Sequence, residues 1–162
     1  MLALAAAVIF CSCDKEEKHG TPGPIKVYGS GYASEIHTVL DENAIIMADS
    51  TRLTGGIHSY FKGYEMLVSP KYSHLGGTIV SDVDATVYVI AAVNSVPPSW
   101  TEVADTGNQD NPLKVTIDGN LIELRIYSTV AYAGKPVNIP VSKKAFCATP
   151  LAKKINYVEI SE

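Results

Sequence analysis

The chain predicts an all-β fold, a single antiparallel β-sandwich of about ten short strands behind a signal peptide and a short tether. Three observations lead there. Beyond Ile25, short runs rich in Val, Ile, Thr and Tyr are separated by turn residues at intervals of roughly ten, the spacing of sandwiches and barrels. No segment carries a sustained apolar stripe at helical spacing. Residues 120–128 alternate, with Glu123 and Arg125 on one face and Ile122, Leu124 and Ile126 on the other, as a half-buried strand requires.

Taken in order, residues 1–12 form the expected signal peptide. They carry no charge, and Leu2 to Phe10 is an unbroken apolar run, too short for a membrane span of about 20 residues. The run closes on Phe10-Cys11-Ser12-Cys13, directly before Asp14-Lys15-Glu16-Glu17-Lys18. This resembles the lipobox and charged post-cysteine segment of Bacteroidota-type lipoproteins. The resemblance implies that Cys13 is acylated and opens the mature chain, which is then lipid-anchored in the outer membrane and exposed at the cell surface. The Lys or Arg usual ahead of such a run is missing before Leu2. Cys11 is the rival acylation position, and a buried N-terminal strand is the plainer alternative to a signal. Residues 13–24 form the tether, because Gly20-Thr21-Pro22-Gly23-Pro24 cannot continue a regular element.

Residues 25–162 form the domain. Strands are expected at 25–28, 35–40, 44–48, 64–69, 78–81, 85–93, 113–117, 121–130, 137–141 and 155–160. The segment 85–93 contains no charge, so it is expected to be central and covered on both sides. Asp118-Gly119 between two strand patterns predicts a two-residue hairpin, since a type I′ turn needs positive φ. Gly55-Gly56, Gly76-Gly77 and Pro97-Pro98 mark further turns.

Composition narrows the function. With 162 residues, 46% hydrophobic and 19% charged, the chain can bury a sizeable core and lacks the polar bias of disorder. A net charge of −4 leaves no basic excess for phosphates, so nucleic acid is not an expected partner. If Cys13 is acylated and Cys11 cleaved away, only Cys147 remains, and it reads as a small buried hydrophobe rather than a nucleophile.

Catalytic constellations are lacking. Gly29-Ser30-Gly31 has neither the Lys of a phosphate loop nor the spacing of a nucleophile elbow. His19, His37, His58 and His74 show no metal-ligand spacing, so no metal site is expected. Scattered carboxylates are available for glycoside chemistry, yet nothing places two of them across a cleft. No enzyme activity and no cofactor are therefore expected. The loop 105–111 is rich in oxygen ligands for calcium, but it lacks EF-hand spacing, and a hydrated turn is the plainer reading.

What remains is the segment Asn94-Ser95-Val96-Pro97-Pro98-Ser99-Trp100-Thr101-Glu102-Val103, which follows the central strand and holds the only tryptophan. An exposed indole stacks on sugar rings, with Asn94 and Glu102 placed to bond hydroxyls; the alternative is that Trp100 caps the sandwich core. Tyr60, beside Phe61 and Tyr64, is a second aromatic candidate.

Several short pieces, in order, are similar to a β-sandwich accessory domain of polysaccharide-processing proteins in the same bacteria. They are Ala48-Asp49-Ser50-Thr51-Arg52, Phe61-Lys62-Gly63-Tyr64, Ala85-Thr86-Val87-Tyr88-Val89, Pro98-Ser99-Trp100, Asp105-Thr106-Gly107, Tyr132-Ala133-Gly134-Lys135-Pro136-Val137 and Asn156-Tyr157-Val158. The resemblance implies glycan association at the cell surface, by binding a polysaccharide or supporting a neighbouring surface protein, and adds Arg52 as a ligand contact. Asp49 and Arg52 are separated by Ser50-Thr51, where the family pattern has an adjacent pair. The rival expectation is a structural or adhesive protein whose β-domain contacts another protein.

Overall fold

The computed structural model describes residues 24–29, 32, 37–39, 43–56, 59–69, 76–103, 112–141 and 146–160. The expected signal, Cys13, nearly all of the tether, and the 105–111 loop lie outside them.

The described residues are all-β, in two sheets that do not close into a barrel. The elements are β1 (Ile25–Gly29), β2 (His37–Val39), a 3-10 turn (Ser59–Phe61), β3 (Glu65–Leu67), β4 (Gly77–Ser81), β5 (Ala85–Ala92), β6 (Thr101–Glu102), β7 (Lys114–Ile117), β8 (Asn120–Ala131), β9 (Val137–Asn138), β10 (Thr149–Ala152) and β11 (Ile155–Glu159). A four-stranded sheet has the order β11-β1-β4-β9. A seven-stranded sheet has the order β2-β3-β10-β5-β8-β6, with β7 added against β8. Among the described strands every ladder is antiparallel except that between β1 and β11, which run parallel, so the expectation of wholly antiparallel sheets fails at that pair.

The uncharged run behaves as its composition demands. β5 lies between β10 and β8 and alternates between two cores. Val87, Val89 and Ala91 face a cluster shared with Ile25, Val27, Ile79 and Ile155 of the smaller sheet. Tyr88, Ile90 and Ala92 face a second cluster with Ile46, Leu53, Phe61 and Phe146. The larger sheet is therefore covered on both faces, by the smaller sheet on one and by segments around residues 44–54 and 59–64 on the other. Burying each large apolar side chain stabilises by about 1.5–3 kcal/mol, so this strand anchors both cores.

The expected hairpin is present. Asp118 (φ 49) and Gly119 (φ 78) both sit at positive φ, and Ile117 pairs with Asn120 across them.

Two expectations are corrected. Residues 44–48 form no ladder, only isolated bridges from Ile45 to Arg52 and Met47 to Ser69, because the segment serves as a cover with Ile46 and Met47 fully buried. Conversely, β10 (Thr149–Ala152) forms where no strand is expected. All four of its residues are buried, and β3 pairs with it only at Leu151 and Ala152, leaving Pro150 outside that ladder.

Candidate functional site

The Trp100 segment leaves β5 through a tight turn. Asn94 adopts φ 59, and the Ser95 N–H and Oγ both donate to the Ala92 carbonyl, at 3.1 and 2.5 Å. The chain returns through Pro97 and Pro98, where the Trp100 N–H donates to the Pro97 carbonyl at 3.0 Å. β6 then pairs with β8, Thr101 opposite Ser128 and Glu102 opposite Tyr127. Thr129 Oγ1 donates to the Ser99 carbonyl at 2.9 Å and fixes the loop to the sheet.

Trp100 and Glu102 lie two residues apart and so share a face with Tyr127 and Arg125 of β8. That face changes character along its length. Tyr127 and Ala131 are buried in the inter-sheet core, and Trp100, only 6% exposed, belongs to the same cluster. Of the two roles considered for Trp100, core capping is the one its burial matches, and the indole presents no open face for a sugar ring. Pro97, Pro98 and Ser99 are exposed in its place.

Beyond the cover of the smaller sheet, the face is wet and charged. Arg125 Nε lies 3.2 Å from Glu102 Oε1, and its Nη2 meets Glu123 Oε1. The Asn94 N–H donates to Tyr127 Oη at 3.4 Å. Burial pushes the Tyr127 phenol upward, opposed by the Asn94 N–H; Glu102 adds to the rise and Arg125 opposes it. The fold thus brings Asn94 and Glu102 together around Tyr127 and Arg125. Tyr127 and Arg125 join the expected pair here, and the alternation through Glu123 and Arg125 that continues to Tyr127 carries their signal in the sequence.

Tyr60 and Arg52 belong elsewhere, on the elements that cover the opposite face of the larger sheet. Tyr60 is 47% exposed and packs against Phe61 and Tyr64, with ring centroids 4.9 and 5.8 Å away. Burial raises the Tyr64 and Tyr88 phenols, and the Tyr60 hydroxyl adds to both shifts. Arg52 Nη1 donates to the Asn43 carbonyl at 2.7 Å, while Asp49 Oδ1 accepts from the Thr51 N–H at 3.0 Å. Asp49 thus closes a local turn on Thr51, and Arg52 braces the 43–52 loop.

No known protein family, curated protein or solved structure matches this chain. The chemistry therefore rests on the residues themselves. Among the described residues, no three His, Cys, Asp or Glu side chains are grouped to hold a metal ion. Of the histidines, His37 lies in β2, and His19, His58 and His74 lie outside the described residues. Cys147 is buried and its thiol is pushed upward by desolvation, which disfavours the reactive thiolate. No helix among the described residues is long and apolar enough to cross a membrane.

Proposed function

We propose that this chain is a cell-envelope lipoprotein, acylated at Cys13 and held on the outer face of the outer membrane, whose single β-sandwich domain acts without catalysis by contacting another protein. The observation that carries the reading is the edge of the smaller sheet. Among the described residues nothing pairs with the outer side of β11, and this edge displays Val158 at 42% and Ile160 at 51% exposure. Apolar side chains on an unpaired edge strand favour main-chain and side-chain docking by protein.

Glycan association has one supporting observation, the array of Asn94, Glu102 and Arg125, but it lacks an aromatic platform beside it because Trp100 is buried. Two measurements test the choice. Metabolic labelling with a palmitate analogue should mark the chain and be lost in Cys13→Ala. Retention on a panel of immobilised polysaccharides, with Trp100 emission followed in solution, should be absent. Saturable retention that Glu102→Ala abolishes would return the function to glycan.

A further inference from the structure

The strand registers bring three turns and the domain's entry point to one end of the sandwich. β1 begins at Ile25, which pairs with Ser81 at the end of β4 and with Ile155 at the start of β11. Ala131 at the end of β8 pairs with Ala85 at the start of β5. The 82–84 turn, the 132–135 turn and Lys153-Lys154 therefore lie beside the point where residues 13–24 lead into the domain. The first two turns brace each other. The Gly134 N–H donates to the Ser81 carbonyl at 2.8 Å, the Ala133 N–H to Asp84 Oδ1 at 2.8 Å, and the Lys135 N–H to the Tyr132 carbonyl at 2.9 Å. On this frame Val83 is 56% and Tyr132 62% exposed, and Val130, on the same face of β8 as Tyr132, is 54% exposed. Because both turns are already ordered, contact through them costs little further entropy.

We propose that this end of the domain docks on the surface of the bilayer that holds the chain, with Val83 and Tyr132 seated among the headgroups and Lys135 and Lys153 against lipid phosphates. The inference rests on the proposed Cys13 anchor and gives the anchored domain its orientation. The path of the chain selects a bilayer as the occupant. Residues 13–24 reach about 40 Å when extended and enter beside the two turns, so an anchored chain holds this end, and no other, nearest the lipid. That restraint raises the effective concentration of the surface, and a few side chains then suffice for contact.

The side chains displayed there suit a membrane interface. Tyrosine sets an apolar ring and a polar hydroxyl at headgroup level, and lysine buries its stem while its ammonium stays wet. Lys135 and Lys153 are exposed and make no ion pair among the described residues, whereas Lys154 is taken by Glu65. Asp82 is bound by Lys26 Nζ at 3.1 Å, and Asp84 accepts from the Ala133 N–H. Two ammonium groups thus stand against one carboxylate that has no cation, a balance that favours anionic lipid.

The test is tryptophan quenching by lipids brominated high in the acyl chain, on the full chain expressed with its leader and reconstituted into vesicles of phosphatidylethanolamine and phosphatidylglycerol. Val83→Trp, Tyr132→Trp and Leu121→Trp each add one reporter at an exposed site, and the buried Trp100 gives the same baseline in all three. Leu121 lies roughly 35 Å back along β8 and serves as the distal reference. The reporters at 83 and 132 should be quenched at least twofold more strongly than the one at 121. Adding Val83→Asp should at least halve the quenching at 132, with circular dichroism verifying the fold. Palmitate labelling of the same samples reads the anchor separately. A labelled chain whose three reporters quench alike, or whose quenching at 132 is untouched by Val83→Asp, overturns the docking and leaves the anchor standing; an unlabelled chain overturns both.

Discussion

Replacing Trp100 by alanine separates a core residue from a displayed one. The side chain is 6% exposed and sits in the cluster between the sheets with Tyr127 and Val89. Truncating a buried tryptophan removes its transfer free energy and leaves a cavity, together about 3–5 kcal/mol. Against a total of about 5–15 kcal/mol for a typical domain, this is a large fraction. At about 3 °C per kcal/mol for a chain of this size, the melting temperature should fall by about 10–15 °C. Guanidinium unfolding followed by far-ultraviolet circular dichroism measures the change without relying on the deleted fluorophore. Trp100→Phe, which refills part of the cavity, should lose less. A Trp100→Ala variant within about 1 kcal/mol of the parent would place the indole outside the core and refute the packing argument.

Further expectations follow from other positions. Gly55 sits at φ +93 with a would-be Cβ 2.1 Å from the Pro112 carbonyl oxygen, so Gly55→Ala should destabilise by about 2–4 kcal/mol; Gly63 has φ +82 but open space, and its alanine variant should lose only about 1 kcal/mol in the same unfolding assay. The Tyr32 phenol, buried and donating to the Ala148 carbonyl at 2.9 Å, is pushed upward chiefly by desolvation. Its folded value lies above the unfolded value near 10, so the unfolded chain releases the proton first; stability present below about pH 10 should decline as pH rises beyond it. Tyrosinate absorbance at high pH should accordingly appear together with unfolding for Tyr32, and Tyr32→Phe should flatten the decline while costing the hydrogen bond. Glu65 accepts from the Ile155 N–H at 2.8 Å and Lys154 Nζ at 2.9 Å, so Glu65→Ala should lower stability by about 1–3 kcal/mol, and Lys154→Met, at an exposed site, by less than about 1 kcal/mol.

What the sequence revealed was local. The uncharged segment around Val87 and Ile90 marks a doubly covered strand because neither face tolerates a charge, and Asp118-Gly119 marks its hairpin because the turn demands positive φ at both positions. Pairing between distant segments leaves no such mark. Nothing in Ile25–Gly29 announces a parallel partner at Ile155–Glu159, and Ile46 and Met47 have the apolar character of a strand although they lie in an irregular cover. Pro150 hides β10 because the cost of its missing N–H depends on whether a neighbouring strand reaches that position, and β3 pairs only with Leu151 and Ala152. The site was legible to the same depth. Asn94 and Glu102 flank one loop in sequence and meet around Tyr127, whereas grouping Tyr60 and Arg52 with them required knowing which face of the larger sheet each element covers. The direction of Trp100 is also tertiary information, since a Pro-Pro turn delivers an indole inward or outward with equal ease.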